Sequence, residues 1–175
     1  MALESGIILP VPQADPIVGE IRRRHDPQEP LGVPAHITLL YPFAHPSQVA
    51  QTLPALNQAF SRVPAFDFSL VEVRRFTAAA YLHPEPPELF VRLTEMLVRQ
   101  WPEFPPYGGS FPTVIPHLTV ADRATSDTLD TITAALATRL PIPCRATEAW
   151  LICSDDRGFW SRREVFRLNQ PYSGT

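Results

Sequence analysis

Pro34-Ala35-His36-Ile37-Thr38-Leu39 and Ile115-Pro116-His117-Leu118-Thr119-Val120 repeat one pattern: His-x-Thr just after a proline, with apolar residues at x and following the threonine. Runs of this kind read as buried strands. Strand side chains alternate between faces, so His36 and Thr38 share one face while Ile37 and Leu39 anchor the other. His117 and Thr119 stand in the same relation to Leu118 and Val120. With five His and thirteen Thr in the chain, His-x-Thr is expected about 0.4 times by chance, and about 0.07 times with the apolar flanks. One copy would be a weak signal; two in matched context are a strong one.

The same organisation extends outward from each motif. The strand over 35–43 leads to a helix over 46–60, where Val49, Leu53, Leu56 and Phe60 recur at helical spacing and Pro54 implies a kink or early break. A strand over 65–76 and a hairpin partner over 78–82 follow. Past the second motif, the strand 117–121 leads to a helix that Ser126 caps, carrying Leu129, Ile132 and Leu136. Two closing strands, 143–153 and 159–168, are joined by the turn Asp155-Asp156-Arg157-Gly158. Residues 36–82 and 117–168 thus repeat a scheme of motif strand, helix and two strands. The duplication predicts a pseudo-twofold arrangement that brings the two histidines together.

Before the first motif, 4–11 reads as a buried strand. Asp15 reads as an N-cap with Pro16 at the first helical position. The short helix that follows ends in Arg22-Arg23-Arg24, a solvated end suited to the helix dipole, and 25–34 is a Pro-rich loop. Between the motifs, 86–101 is the clearest helix, with Leu89, Phe90, Leu93, Met96 and Leu97 on one face. A long Pro, Gly and aromatic loop, 102–116, suits a functional lid.

Histidines presented this way suit acid–base chemistry on a phosphodiester. In-line hydrolysis needs a base for the incoming water and an acid for the leaving oxygen, and imidazole can serve as either near neutral pH. Threonine hydroxyls two positions on can donate to the non-bridging oxygens. The candidate catalytic residues are therefore His36 and His117, with Thr38 and Thr119 as phosphate contacts. Tyr107, beside Gly108-Gly109, could stack on a base, and Arg123 could reach a phosphate if the strand extends to it. His25, His45 and His83 read as surface turn residues, and Arg157, Arg162 and Arg163 flank a hairpin.

Composition narrows the chemistry. All fifteen basic residues are Arg, which rules out a lysyl-adenylate, a Schiff base or a P-loop lysine. The net charge of -3 argues against binding long duplex nucleic acid, which needs many cationic contacts. Cys144 and Cys153 lie nine positions apart on what reads as one strand, about 30 Å at strand rise, so no disulfide joins them. Neither belongs to a C-x-x-C pair, and no H-E-x-x-H spacing suggests a metal, so no metal or cofactor is expected. No apolar run approaches membrane-spanning length and the N-terminus lacks signal-peptide character, which together predict a cytoplasmic protein without membrane association.

The stretches G-V-P-A-H-I-T-L-L-Y-P-F, P-P-Y-G-G-S-F and P-H-L-T-V-A resemble the two-histidine (2H) phosphoesterase superfamily, in its 2′-5′ RNA ligase branch, in the same element order from about Glu4 to Leu168. The resemblance implies an α+β fold: bilobal, pseudo-twofold, two antiparallel sheets lining a central cleft with helices outside, as one domain over 1–175. It implies acid and base roles for His36 and His117, and phosphate binding by Thr38 and Thr119. The implied activity is on 2′,3′-cyclic phosphates or 2′-5′ linkages of nucleotides or RNA termini, with ligation as the ATP-independent reverse reaction. The alternative is a binding module that holds a nucleotide or RNA end in the same cleft without turnover. A monomer is expected.

Overall fold

The structure, a computed structural model, describes residues 3–169; Met1, Ala2 and 170–175, the ends of the 1–175 span, lie outside the described residues. In chain order the elements are β1 (Ser5–Pro10), α1 (Asp15–His25), β2 (His36–Leu40), α2 (Val49–Ser61), β3 (Phe66–Arg75), β4 (Ala80–Glu85) and α3 (Glu88–Gln100). They continue with β5 (Leu118–Ala121), α4 (Ser126–Ala137), β6 (Ile142–Ala146), β7 (Glu148–Ser154) and β8 (Trp160–Arg167). The strands form two four-stranded sheets, ordered β2-β1-β7-β8 and β5-β4-β3-β6, with every pairing antiparallel. The fold is α+β.

Each His-x-Thr strand is the edge of its sheet, next to a strand reached through one helix: β1-α1-β2 in the first sheet, β4-α3-β5 in the second. The helices cross over. α1 packs on β5 and α3 packs on β2, while β2 and β5 meet where the sheets adjoin. Residue chemistry explains why α3 lies there. Phe90, Leu93, Thr94 and Leu97 recur at three- and four-residue spacing on its buried face, and the Thr94 hydroxyl donates to the Leu39 carbonyl at 2.8 Å. On the other side, the Asp122 amide donates to the His25 carbonyl at 2.9 Å, fixing the end of α1 beside β5. Apolar side chains from both sheets and all four helices join one core, including a stacked Phe60–Phe166 pair with centroids 5.4 Å apart.

The structure corrects several expectations. The run 143–153 is not one strand: it divides at Thr147, with β6 paired to β3 in the second sheet and β7 to β1 and β8 in the first. A strand that changes sheets keeps its apolar pattern, which conceals the division. Cys144 and Cys153 therefore sit in different sheets, both as buried free thiols, and the second repeat ends in three strands rather than two. The first motif strand stops at Leu40 rather than 43, and His117 immediately precedes β5.

Helix boundaries also shift. Ala14, with helical backbone angles, precedes α1, and Asp15 is its first residue, without a side-chain cap bond; a 3-10 turn over Pro12–Ala14 feeds directly into the helix. At α4 the cap is Thr125, not Ser126: the Thr125 hydroxyl accepts from the Thr128 amide. α2 begins at Val49 and continues through Pro54 to Ser61 without a break. Pro54 is its sixth residue and lacks the amide that would bond the Ala50 carbonyl, a loss the helix accommodates without ending.

Two polar residues read as exposed are buried. His83 lies within β4 and is 6% exposed, and its Nδ1 has no hydrogen-bond partner among the described residues. Arg22, read as part of a solvated helix end, is 3% exposed. Its Nε and Nη2 donate to Asp26 Oδ2 at 3.0 and 2.9 Å, and Nη2 also donates to the Val33 carbonyl at 2.9 Å. Asp26 Oδ1 in turn accepts from the Gln28 amide at 3.0 Å. This pair pins the loop that runs into β2.

Candidate active site

Both motif histidines are held in one local arrangement. His36 Nδ1 lies 2.7 Å from the Pro34 carbonyl oxygen, and His117 Nδ1 lies 2.6 Å from that of Ile115. A carbonyl can only accept, so Nδ1 carries the hydrogen in each ring. The neutral imidazoles therefore present Nε2 with its lone pair free. For His36 that nitrogen is 3.1 Å from Thr38 Oγ1, so the hydroxyl donates to it. Each carbonyl sits two residues before its ring, in the proline-bearing step that leads into the strand.

The surroundings disfavour charge on either ring. Burial among protein atoms pushes His36 down to about 4; Arg22 and His117 push the same way, while the Pro34 bond and Asp26 oppose them. The two rings come from the adjoining sheet edges, β2 and the start of β5. Burial likewise lowers His117, against its bond to Ile115. An anion between the rings would supply the missing counter-charge and favour protonation of either.

His36 and Thr38 open onto a cavity of about 630 Å³ over the face of the first sheet. Ile8 and Ile152 line its floor, and Tyr41, Tyr107 and Trp160 line its sides, with the Tyr41 and Trp160 rings edge-to-face at 6.1 Å. Gly6 lets the Tyr41 ring lie close over β1: a Cβ there would meet Tyr41 Cδ2 at 3.3 Å. Tyr107 reaches the cavity from the long loop by adopting a left-handed backbone, φ 53°, followed by Gly108 and Gly109 at φ 63° and 76°. Its amide donates to the Tyr41 carbonyl at 2.6 Å. Burial raises its phenol, and the Thr38 side chain acts against that shift, so the two hydroxyls are neighbours.

The sequence candidates thus divide. His36, Thr38 and Tyr107 line one cavity. His117, just before β5 at the edge of the second sheet, is walled by Phe76 and Tyr81 at centroid distances of 5.3 and 5.5 Å. Thr119 is half-buried on β5, in register with Tyr81 of β4. Arg123 is not brought in: it lies beyond the end of β5 at φ 56°, and its side chain is 81% exposed and 3.8 Å from Asp122. Asp122, not Arg123, lines the cavity. Arg162 sits 4.7 Å over the Trp150 ring.

Sequence reasoning missed Glu4, Tyr41, Asp122 and Trp160 at this site, and Phe76 and Tyr81 beside His117. Only Tyr41 lay in a stretch already singled out. The rest come from separate segments with no shared spacing. Among the described residues, no group of three or more His, Cys, Asp or Glu could hold a metal ion, and no helix is long and apolar enough to cross a membrane.

Comparison with known proteins gives a consistent result. A family model described as the 2′-5′ RNA ligase superfamily matches residues 9–158. No curated protein sequence matches significantly. Among solved structures, the 3′-AMP complex of E. coli LigT superposes with a TM-score of 0.63 at 21% identity, covering 97% of this chain and 100% of that one. The ATP complex of the same protein gives a TM-score of 0.64 at 20% identity, covering 97% and 100%. TT0787 of Thermus thermophilus gives 0.61 at 18% identity, covering 98% and 100%. At these identities the structural likeness is one of fold.

Proposed function

This chain belongs to the 2′-5′ RNA ligase superfamily, and on that premise we propose that it is a metal-independent phosphodiesterase acting on 2′,3′-cyclic phosphates or 2′-5′ linkages of nucleotides or RNA ends. The matched pair of Nδ1–carbonyl bonds at His36 and His117 supports this most directly. Each bond fixes a tautomer and aims the other nitrogen outward, as a proton-transfer group requires. The phosphate lies between the rings, its non-bridging oxygens accepting from the Thr38 and Thr119 hydroxyls. The Thr38 hydrogen turns from His36 Nε2 to phosphate when substrate enters.

In hydrolysis of a cyclic phosphate, His36 Nε2 takes a proton from water as the water oxygen bonds to phosphorus. One ring P–O bond breaks, and the departing ribose oxygen takes the proton from His117 Nε2. His36 is the base because its surroundings penalise the cation most clearly. Ligation is the same path reversed, with a ribose hydroxyl as nucleophile. The test is a panel of 2′,3′-cyclic, 3′,5′-cyclic and 2′-5′-linked substrates incubated with excess EDTA and products identified. Turnover of the first or third class is expected. Nucleotide binding with no product across the panel would leave a binding module instead.

The pH dependence should carry the signature of two depressed imidazoles. The base must be neutral and the acid protonated. For free enzyme, kcat/KM should therefore rise as pH passes about 4, where His36 loses its proton. It should fall again below the ordinary histidine value of 6.5, as the lowered His117 loses its own. The optimum is expected on the acid side of neutrality. Bound phosphate stabilises imidazolium, so the kcat profile should lie at higher pH than the kcat/KM profile. A kcat/KM optimum well above neutrality would overturn the role assignment.

A further inference from the structure

The cavity beside His36 is much larger than a phosphate requires, and its chemistry is unlike that of a phosphate site. Its floor and sides are apolar and aromatic. The carboxylates among its lining residues are Glu4 and Asp122, and none of those residues is an Arg. A second phosphate would meet like charge there, whereas a flat, uncharged heterocycle would meet ring faces and edges.

Glu4 is held in place from two sides. Its backbone amide donates to Ser154 Oγ at 2.8 Å, and Ser154 is buried. Its Oε2 accepts from the Tyr41 hydroxyl at 2.8 Å. Burial, the hydrogen bond to Glu4 and the Glu4 charge push that phenol up to about 12, so it stays a donor. Glu4 Oε1 has no partner among the described residues. A fixed carboxylate lining a mostly apolar cavity selects for a hydrogen-bond donor and rejects an acceptor.

We propose that this cavity is a nucleobase pocket in which Glu4 selects bases carrying an exocyclic amino group, the phosphate of the same nucleotide resting at His36 and Thr38. This deepens the phosphodiesterase reading and rests on it for the position of the phosphate. Cytosine and uracil separate the idea from simple shape, since they differ at the edge by amino against carbonyl at nearly equal size. Adenine and hypoxanthine form a second such pair. In each, the carbonyl base replaces the exocyclic donor by an acceptor at that position and moves its donor to the adjacent ring nitrogen, out of line with the fixed carboxylate.

The test compares kcat/KM for cytidine and uridine 2′,3′-cyclic phosphates, and Kd for 3′-CMP and 3′-UMP by calorimetry, which needs no turnover. The cytosine compounds should be favoured roughly tenfold or more, the range for a hydrogen bond to a charged group. Glu4→Gln, whose amide can also donate, should bring the ratio to within about twofold. Tyr41→Phe, which frees Glu4, should narrow it as well and serves if Glu4→Gln does not fold. Equal handling of cytosine and uracil, or a preference that survives Glu4→Gln and Tyr41→Phe, overturns the pocket. Base-selective binding without turnover supports the pocket and refutes the enzyme. Turnover without selectivity does the reverse.

Discussion

Replacing His36 or His117 by Ala is expected to lower kcat/KM on a 2′,3′-cyclic nucleotide by ~10²–10⁴-fold, the range for losing one general acid or base. The two substitutions should not behave as independent. Both rings serve one transition state, so once one proton transfer is lost the other ring assists a reaction that no longer follows the same path. The double variant should therefore fall well short of the product of the two single effects. Stability should move little, because each half-buried ring gives up a hydrogen bond to a backbone carbonyl and His36 one more from a threonine hydroxyl that solvent can replace. Thermal unfolding run beside the kinetics separates a lost proton carrier from a lost fold. Wild-type rates in both single variants would remove the two-histidine mechanism.

Arg22→Met is expected to destabilise the fold by about 3–5 kcal/mol, the cost of leaving a buried charge without its partner. Asp26 is 5% exposed, and without Arg22 its carboxylate keeps the Gln28 amide as its remaining hydrogen-bond donor among the described residues. In a chain of this length that loss corresponds to a fall in Tm of roughly 10 °C. The double variant Arg22→Met/Asp26→Leu should recover most of it, since removing both charges leaves none buried and unpaired. The damage should also reach the active site. Arg22 grips the Val33 carbonyl, one residue before the Pro34 carbonyl that orients His36. A Tm within about 2 °C of wild type would mean that the pair contributes little.

What could be read in advance follows from what is periodic. Ile37 and Leu39, Leu118 and Val120 alternate, Phe90, Leu93 and Leu97 recur at helical spacing, and the doubled His-x-Thr pattern marks equivalent strands. Those signals mark the strands, the helices and the two motif histidines, while the α+β class followed from the family resemblance of the quoted stretches. Spacing also contained a hint at Arg22, four residues before Asp26, but three consecutive arginines suggest solvent, and burial depends on what packs above. Thr147 ends one strand and admits another without any proline or glycine to mark it. The cavity was the least legible feature. Glu4, Asp122 and Trp160 meet only after β1, β5 and β8 have been folded together, and no local rule connects them.

The crossed bracing of the two halves ties their stability together. α1 belongs to the β1-α1-β2 unit yet supports β5, and α3 belongs to β4-α3-β5 yet supports β2. Neither unit can rest its own histidine strand on its own helix. Either unit alone would leave a strand edge and a helix face uncovered. The two halves therefore fold as one cooperative body, and loosening either helix disturbs the motif strand of the opposite half.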